Sequence, residues 1–443
     1  MLPRIAMMIY PAGMTHSRAL HGWRTAAPAV LALSLVGCAS GTATTPQRAS
    51  TPTSARPLPA PTEQAGCAAA PRAADQLRPA AVRSSGWRLL WRDEPISFLH
   101  NASLLRDGTL WAMYSEWESG KKQARRWDGT AWTRPLRMPP VPTMPDEDAP
   151  EGDQNLVVPS ADAPWVLQED PDSASGWSLL RWNGSTWRDE QVAFADVSAS
   201  WASARGSWAT VGDWSMRWSR TGWQSARLPA PNPLFVGGTD EEPWVVGKDS
   251  GPDSPTRVPR LARWTGSAWQ EVPLPRPALP PDAERVVNDS FWAGTGLTEL
   301  SAAVRTGEAE FWVLGRYEWA ELEPHGQKVV TLARLVAMRS QAGRWSCFWG
   351  PATTREEKRI GFEEAMPDGA GGLWATTADD EIWHLSGGRW TRERLPVRGG
   401  GHAVVYDLVA QDGLVYALGA IRRPRDPASS VYNQGAALWR LSP

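Results

Sequence analysis

The stretch Arg126-Trp127-Asp128-Gly129-Thr130-Ala131-Trp132 returns as Arg181-Trp182-Asn183-Gly184-Ser185-Thr186-Trp187, as Arg217-Trp218-Ser219-Arg220-Thr221-Gly222-Trp223 and as Arg263-Trp264-Thr265-Gly266-Ser267-Ala268-Trp269. Looser copies run over 338–345 and 383–390. Asp-Gly and Asn-Gly between apolar flanks are strong hairpin signals, because a type I′ turn needs positive φ at both central residues. The phrase therefore predicts a tight β-hairpin. The two Trp of each copy differ by five in number, which puts them on one face as diagonal cross-strand neighbours. Trp383 and Trp390 differ by seven and keep the same parity.

Upstream of each hairpin lies a second marker, a turn followed by an aromatic anchor. The anchors are Trp111, Trp165, Trp208, Trp244, Trp312 and Trp374, with Tyr416 as a substituted seventh. Each unit then holds an apolar strand, a turn, an anchor strand and the Trp hairpin, or four strands in about 50 residues. A four-stranded sheet at this period is a propeller blade, which cannot bury either face without neighbours. The seventh unit stops at Leu438-Trp439-Arg440-Leu441 with no second hairpin strand. Ser85-Gly86-Trp87-Arg88-Leu89-Leu90, at the other end, resembles that missing strand. The expected fold is all-β, a seven-bladed propeller over 85–443 closed by an N-terminal strand that completes the last blade. Closure leaves no free edge to pair with another chain, so a monomer is expected.

The 443 residues are ample for a large core, and 28 are Trp, beside 39 Gly and 39 Pro. The net charge of −2 gives no field that would attract nucleic acid, which excludes a generic DNA or RNA binder.

Residues 1–37 read as a signal peptide, with Met14 as the expected start. A basic flank carrying Arg18 and Arg24 precedes the apolar run 25–37, which is too short to span a bilayer as a helix. The run ends in Leu35-Val36-Gly37-Cys38, which resembles the lipobox of bacterial lipoproteins. That resemblance implies a lipidated Cys38 at the mature N-terminus and attachment to the bacterial envelope membrane. Ala39 and Ser40 carry no Asp retention signal, so the outer membrane is the expected destination. Residues 39–84 are rich in Ala, Pro, Thr and Ser and lack aromatics, the composition of a disordered tether. The phrase Asp-Gly-x-Leu-Trp before a hairpin resembles the propeller repeats of hybrid two-component regulators, which implies the fold. The membrane span and kinase of those regulators are not in this sequence. The Ser-x-Asp-x-Gly order of sialidase aspartate boxes does not occur either.

In a propeller the loops entering each inner strand gather over the central channel. His100 and His402 begin the inner strands of blades that closure makes neighbours, and Asp146, Glu147 or Asp148 could supply a third metal donor. Unrelated surface histidines are the plainer reading. The acidic loop 145–153 lacks the spacing of an EF-hand, so no cofactor is expected, with weak calcium binding as the alternative. No catalytic residue is assigned, since no nucleophile elbow, P-loop or dinucleotide fingerprint appears. Cys67 and Cys347 either bond in an oxidising compartment or remain free thiols. The repeated Trp are expected to pack between blades. Trp117, Trp177, Trp201, Trp214, Trp319 and Trp349 fall outside the marker and are candidates for exposed contacts. The expected function is that of an envelope binding or scaffold module, a reading preferred to an enzyme. It would engage a protein or glycan through loops 92–100, 138–155, 277–291, 350–363 and 396–404. The alternative is a polysaccharide hydrolase or lyase using carboxylates and a His at the channel mouth.

Overall fold

The Trp phrase builds the outer hairpin of a four-stranded antiparallel meander, and the chain repeats that meander along its length. A computed structural model describes Cys67, Ala70, residues 82–83 and most of 86–442. The longest stretches outside the description are 141–153, 191–201, 249–258, 279–295, 323–328, 355–361 and 424–433. The described residues all belong to one unit, Pro57–Pro443. They hold β-strands and no helix.

Two short strands come first, β1 (Val82–Arg83) and β2 (Trp87–Arg92). The first sheet runs β3 (Ser97–Leu104), β4 (Leu110–Glu116), β5 (Lys122–Trp127) and β6 (Leu136–Arg137). The second runs β7 (Gln154–Val157), β8 (Trp165–Glu169), β9 (Trp177–Trp182) and β10 (Trp187–Asp189). The third is β11 (Ala202–Arg205), β12 (Trp208–Val211), β13 (Trp214–Ser219) and β14 (Gly222–Arg227). Next come β15 (Leu234–Gly238), β16 (Pro243–Lys248), β17 (Pro259–Trp264) and β18 (Trp269–Val272). A longer meander follows, β19 (Gly296–Gly307), β20 (Glu310–Leu322), β21 (Val329–Gln341) and β22 (Arg344–Thr354). A single parallel pair, Gly237 with Ala303, joins these two meanders into one sheet. There the backbones approach so closely that a Cβ on Gly237 would overlap the Ala303 carbonyl.

The next sheet is β23 (Phe362–Pro367), β24 (Leu373–Thr377), β25 (Ile382–Ser386) and β26 (Arg389–Glu393), with β1 added in parallel at its outer edge. The last comprises β27 (His402–Gln411), β28 (Leu414–Arg422) and β29 (Gln434–Leu441), with β2 as its fourth strand. The β2–β29 ladder runs from Trp87 opposite Leu441 to Arg92 opposite Ala437. The first strands of successive meanders touch in turn: β3 with β7, β7 with β11, β11 with β15, β15 with β19, β19 with β23, β23 with β27, and β27 with β3.

The anchor aromatics hold the sheets together. Trp111, Trp165, Trp208, Trp244, Trp312, Trp374 and Tyr416 are all buried, each on the second strand of its meander. Each reaches toward the hairpin that follows. The Trp165 ring lies 4.9 Å from Trp218 and 5.1 Å from Trp223, and Trp208 lies 5.3 Å from Trp264 and 5.8 Å from Trp269. Trp374 meets Trp87 of β2 at 5.7 Å, and Tyr416 joins one core cluster with Trp127 and Trp132. A sheet's apolar face is thus completed by the next sheet's indoles. Edge-to-face pairs of this kind add about 0.5–1.5 kcal/mol beyond area burial.

Several details differ from the sequence reading. Trp127 and Trp132, Trp182 and Trp187, Trp218 and Trp223, and Trp264 and Trp269 stand directly opposite one another, not diagonally. Only Trp383 and Trp390 are diagonal, because Trp383 faces Arg392 and Trp390 faces Leu385. The Gly129 and Gly184 turns are not type I′ either, whereas the looser copies are, with positive φ at both central residues, 50° and 80° at Ala342 and Gly343 and 56° and 77° at Gly387 and Gly388. Gly129 and Gly184 have φ of 100° and 96°, but no neighbour in those turns has positive φ, which is the arrangement of a type II′ turn. The Asp128 carboxylate accepts from the Thr130 and Ala131 backbone N–H groups, each at 2.8 Å, and so closes the loop that a second positive φ would otherwise close. Trp177 and Trp319, expected as exposed contacts, are fully buried, and Trp214 and Trp349 are half-buried. Trp117 and Trp201 lie outside the described residues. The β20–β21 ladder is long and ends with Leu322 opposite Val329. Glu242 is held between Arg263 and Arg305.

Candidate functional site

The polar residues that the fold brings together come from first strands. On β3, Asn101 sits at φ 50° within a bulge between His100 and Ser103. Its side chain donates to Asn155 Oδ1 of β7 at 3.1 Å and accepts from the Leu156 N–H at 3.0 Å. On β27 a bulge falls between Val405 and Asp407, and the Asp407 carboxylate accepts from the Ala102 N–H of β3 at 2.5 Å. On β23 a third bulge falls between Phe362 and Ala365, and Glu364 reaches Arg205 of β11 at 3.5 Å. Each bulge adds a residue and re-aims a side chain, so otherwise apolar strands present polar groups at these points.

The electrostatics follow from depth. Burial pushes the Glu364 carboxyl well above its ordinary range, and the Asp407 and Glu363 charges push the same way against Arg205. Asp407 is also raised, mainly by burial, while the Ala102 N–H, Arg205 and the Leu408 N–H oppose the rise. Glu364 keeps 26% of its side-chain surface, so it borders an opening and is not sealed in. The pair behaves as two carboxylates that disfavour simultaneous ionisation beside one guanidinium.

The histidines are separated in role. His100 lies on β3, where Nε2 hydrogen-bonds to Ser115 Oγ at 2.9 Å and the ring packs 5.0 Å from Phe98. Burial, with the nearby Lys122 charge, lowers its pKa to about 4, so the ring is neutral at physiological pH. His402, by contrast, is exposed at the first residue of β27 and lines a groove of about 460 Å³. The groove lies between the ends of β25 and β26 and the start of β27. No hydrogen bond or ring contact joins the two histidines, and no group of three metal-ligating side chains occurs among the described residues. Asp146, Glu147 and Asp148 lie outside the described residues, as does Cys38.

The groove has apolar walls, Ile382, Leu395, Val397, Ala403 and Val405, and a charged rim. Glu381 and Arg392 are paired across that rim at 2.8 Å. Glu393, at the end of β26, is 7% exposed, and its Oε2 has no hydrogen-bond partner.

Cys67 and Cys347 of β22 are joined by a disulfide, with Cα atoms 4.8 Å apart. Beside it the Ala70 N–H donates to the Ala278 carbonyl at 3.1 Å, and Ala70 is buried in the core around Trp319. With β1 against β26, two points of the segment read as a tether are held against the sheets.

Sequence reasoning missed Arg205, Glu364 and Asp407. Each lies on a different first strand, far in sequence from its partners, and the available signal was an ionisable residue on a strand with apolar neighbours. Glu393 was hidden because Arg392-Glu393-Arg394 reads as a solvated hairpin end.

No protein-family model and no curated protein matches the chain. Among solved structures it is similar to YCF48 from Cyanidioschyzon merolae, at 12% identity and a TM-score of 0.41, covering 81% of this chain and 98% of that one. It is also similar to the WD40 β-propeller domain of Doa1, at 10% identity and a TM-score of 0.40, covering 80% and 97%. A third is the α-L-arabinofuranosidase Arb93A from Fusarium graminearum, at 11% identity and a TM-score of 0.36, covering 82% and 97%.

Proposed function

We propose that the chain is an envelope binding or scaffold protein, a seven-bladed propeller closed by β2 and carried on a lipid anchor at Cys38. Its ring face engages a protein or glycan. The blade count and closure are supported by the succession of first-strand contacts that returns from β27 to β3, and by the pairing of β2 with β29. The anchor is supported by the resemblance of residues 35–38 to a lipobox, and the outer membrane by the absence of Asp after Cys38.

The observation that carries the binding reading is the groove beside His402, which opens where the loop 396–404 enters β27. Its volume falls in the range of about 300–1,000 Å³ typical of ligand sites. The first-strand polar groups, in contrast, bond to one another and to backbone, so they brace the ring and leave recognition to the loops above it.

A second reading is favoured by one feature, the coupled carboxylates Glu364 and Asp407. A polysaccharide hydrolase uses two carboxyl groups held at different protonation states, one as acid and one as base or nucleophile. Affinity capture from solubilised envelope, with glycan analysis and a turnover assay on the retained material, separates the two. A stoichiometric partner retained without turnover supports the binding module. Cleavage of a retained polysaccharide, lost in Glu364→Gln, replaces it with the hydrolase.

A further inference from the structure

We propose that the groove between β26 and β27 receives an arginine or lysine side chain presented by a protein partner, with Glu393 as its counter-ion. This deepens the ring-face binding reading and rests on it. The observation is a buried carboxylate oxygen without a partner in an apolar place. Glu393 is 7% exposed and its Oε2 has no hydrogen-bond partner, while the groove it lines is walled by Ile382, Leu395, Val397, Ala403 and Val405. A buried carboxylate oxygen left unmade costs stability, and a cation that arrives with its own hydrogen-bond donors repays that cost most fully.

The surrounding groups narrow the ligand. Glu381 is committed to Arg392 at 2.8 Å, so the acid left to receive a cation is Glu393. Among the described residues no Trp, Tyr or Phe lines the groove, so the broad stacking platform that a sugar ring would use is missing there. The apolar walls instead suit the methylene stem of a long basic side chain, which buries its carbons while its charge is held at the end. The exposed loop 398–401 and His402 continue the surface beyond the groove, leaving room for the flanking backbone of a partner. A guanidinium, with its planar fork of donors, fits a carboxylate better than an ammonium does.

The test uses the full-length chain and ligand-observed NMR titration with three probes. These are acetyl-Gly-Arg-Gly-amide, the same peptide with citrulline in place of arginine, and n-butylguanidinium. The arginine peptide should bind saturably and at least about tenfold more tightly than its neutral citrulline analogue, a difference of about 1.4 kcal/mol. Weaker binding of n-butylguanidinium than of the peptide assigns the site to a protein partner. Equal binding of the two overturns that assignment in favour of a free organic cation. Glu393→Gln, close in shape to the native residue, should abolish the preference for arginine over citrulline, because it removes the carboxylate that would meet the cation. His402→Trp, at the exposed rim, should block the peptide without touching the core. Equal affinity for arginine and citrulline peptides, or a preference that survives Glu393→Gln, refutes the proposal. Failure here with a stoichiometric partner still retained in the capture experiment would locate that partner on other loops, leaving the binding reading intact.

Discussion

Glu364, Asp407 and His100 titrate in opposite senses, and that opposition gives the pH dependence of stability its shape. The two acids bind protons more readily folded than unfolded, since burial raises both. Their contribution is therefore full below the ordinary carboxylate range and is lost as pH rises through that range toward neutrality. His100 works the other way. Its folded pKa of about 4 lies below the ordinary value of 6.5, so stability rises with pH between those values. Denaturant titrations at a series of pH values should therefore show Glu364→Gln losing its share of the decline toward neutral pH, with the Asp407 share left, while His100→Gln loses the rise above pH 4. If both variants kept the native profile, neither group would be buried as described. Arg205 should behave as a positioning residue for the pair. Its loss leaves Glu364 and Asp407 facing each other without a cation, so Arg205→Met should steepen the Glu364-dependent decline.

At the scale of the element, the meander is stable only in company. The seven anchors are buried against the following hairpin, as in the contacts of Trp165 with Trp218 and Trp223. Trp165→Ala removes a ring that two sheets share and should cost about 3–5 kcal/mol, read from chemical denaturation. A loss of under about 1 kcal/mol, within the range of surface substitutions, would mean that the ring does not bridge the sheets. These anchors and their hairpins were legible in the sequence, because a Gly-containing turn between two Trp leaves a local mark. The β2–β29 pairing was legible by its symmetry, an unmatched strand at one end and a missing one at the other. The polar girdle was not. Asn101, Asn155, Arg205, Glu364 and Asp407 sit on separate first strands, and bulges, which follow from no local signal, decide where they point. The Trp pairs are directly opposed and not diagonal because, across a two-residue loop of either primed type, residues five apart in number face each other in the ladder. The charge on Glu393 gave no hint of its burial, since an acid between two arginines has the composition of an exposed edge.

Over the whole molecule, the chain is tied down from the N-terminal side at several places. The Cys67–Cys347 disulfide holds it at β22 of the long meander, and the Ala70 hydrogen bond holds it at Ala278, after β18. The parallel strand β1 then holds it at β26, and β2 enters the last sheet. A lipid anchor at Cys38 would therefore pull on the disulfide before it pulled on the ring. The claim on which the rest depends is that both ends of the packed unit build one sheet, closing a ring whose face can act as a rigid platform. Arg88 of β2 stands opposite Arg440 of β29, which makes the closure directly measurable. In a chain carrying Arg88→Cys and Arg440→Cys, mild oxidation should form an intramolecular disulfide, seen as a peptide cross-link by mass spectrometry, with a rise in Tm. Failure of those cysteines to join within one chain, or joining only between chains, would contradict the closed ring.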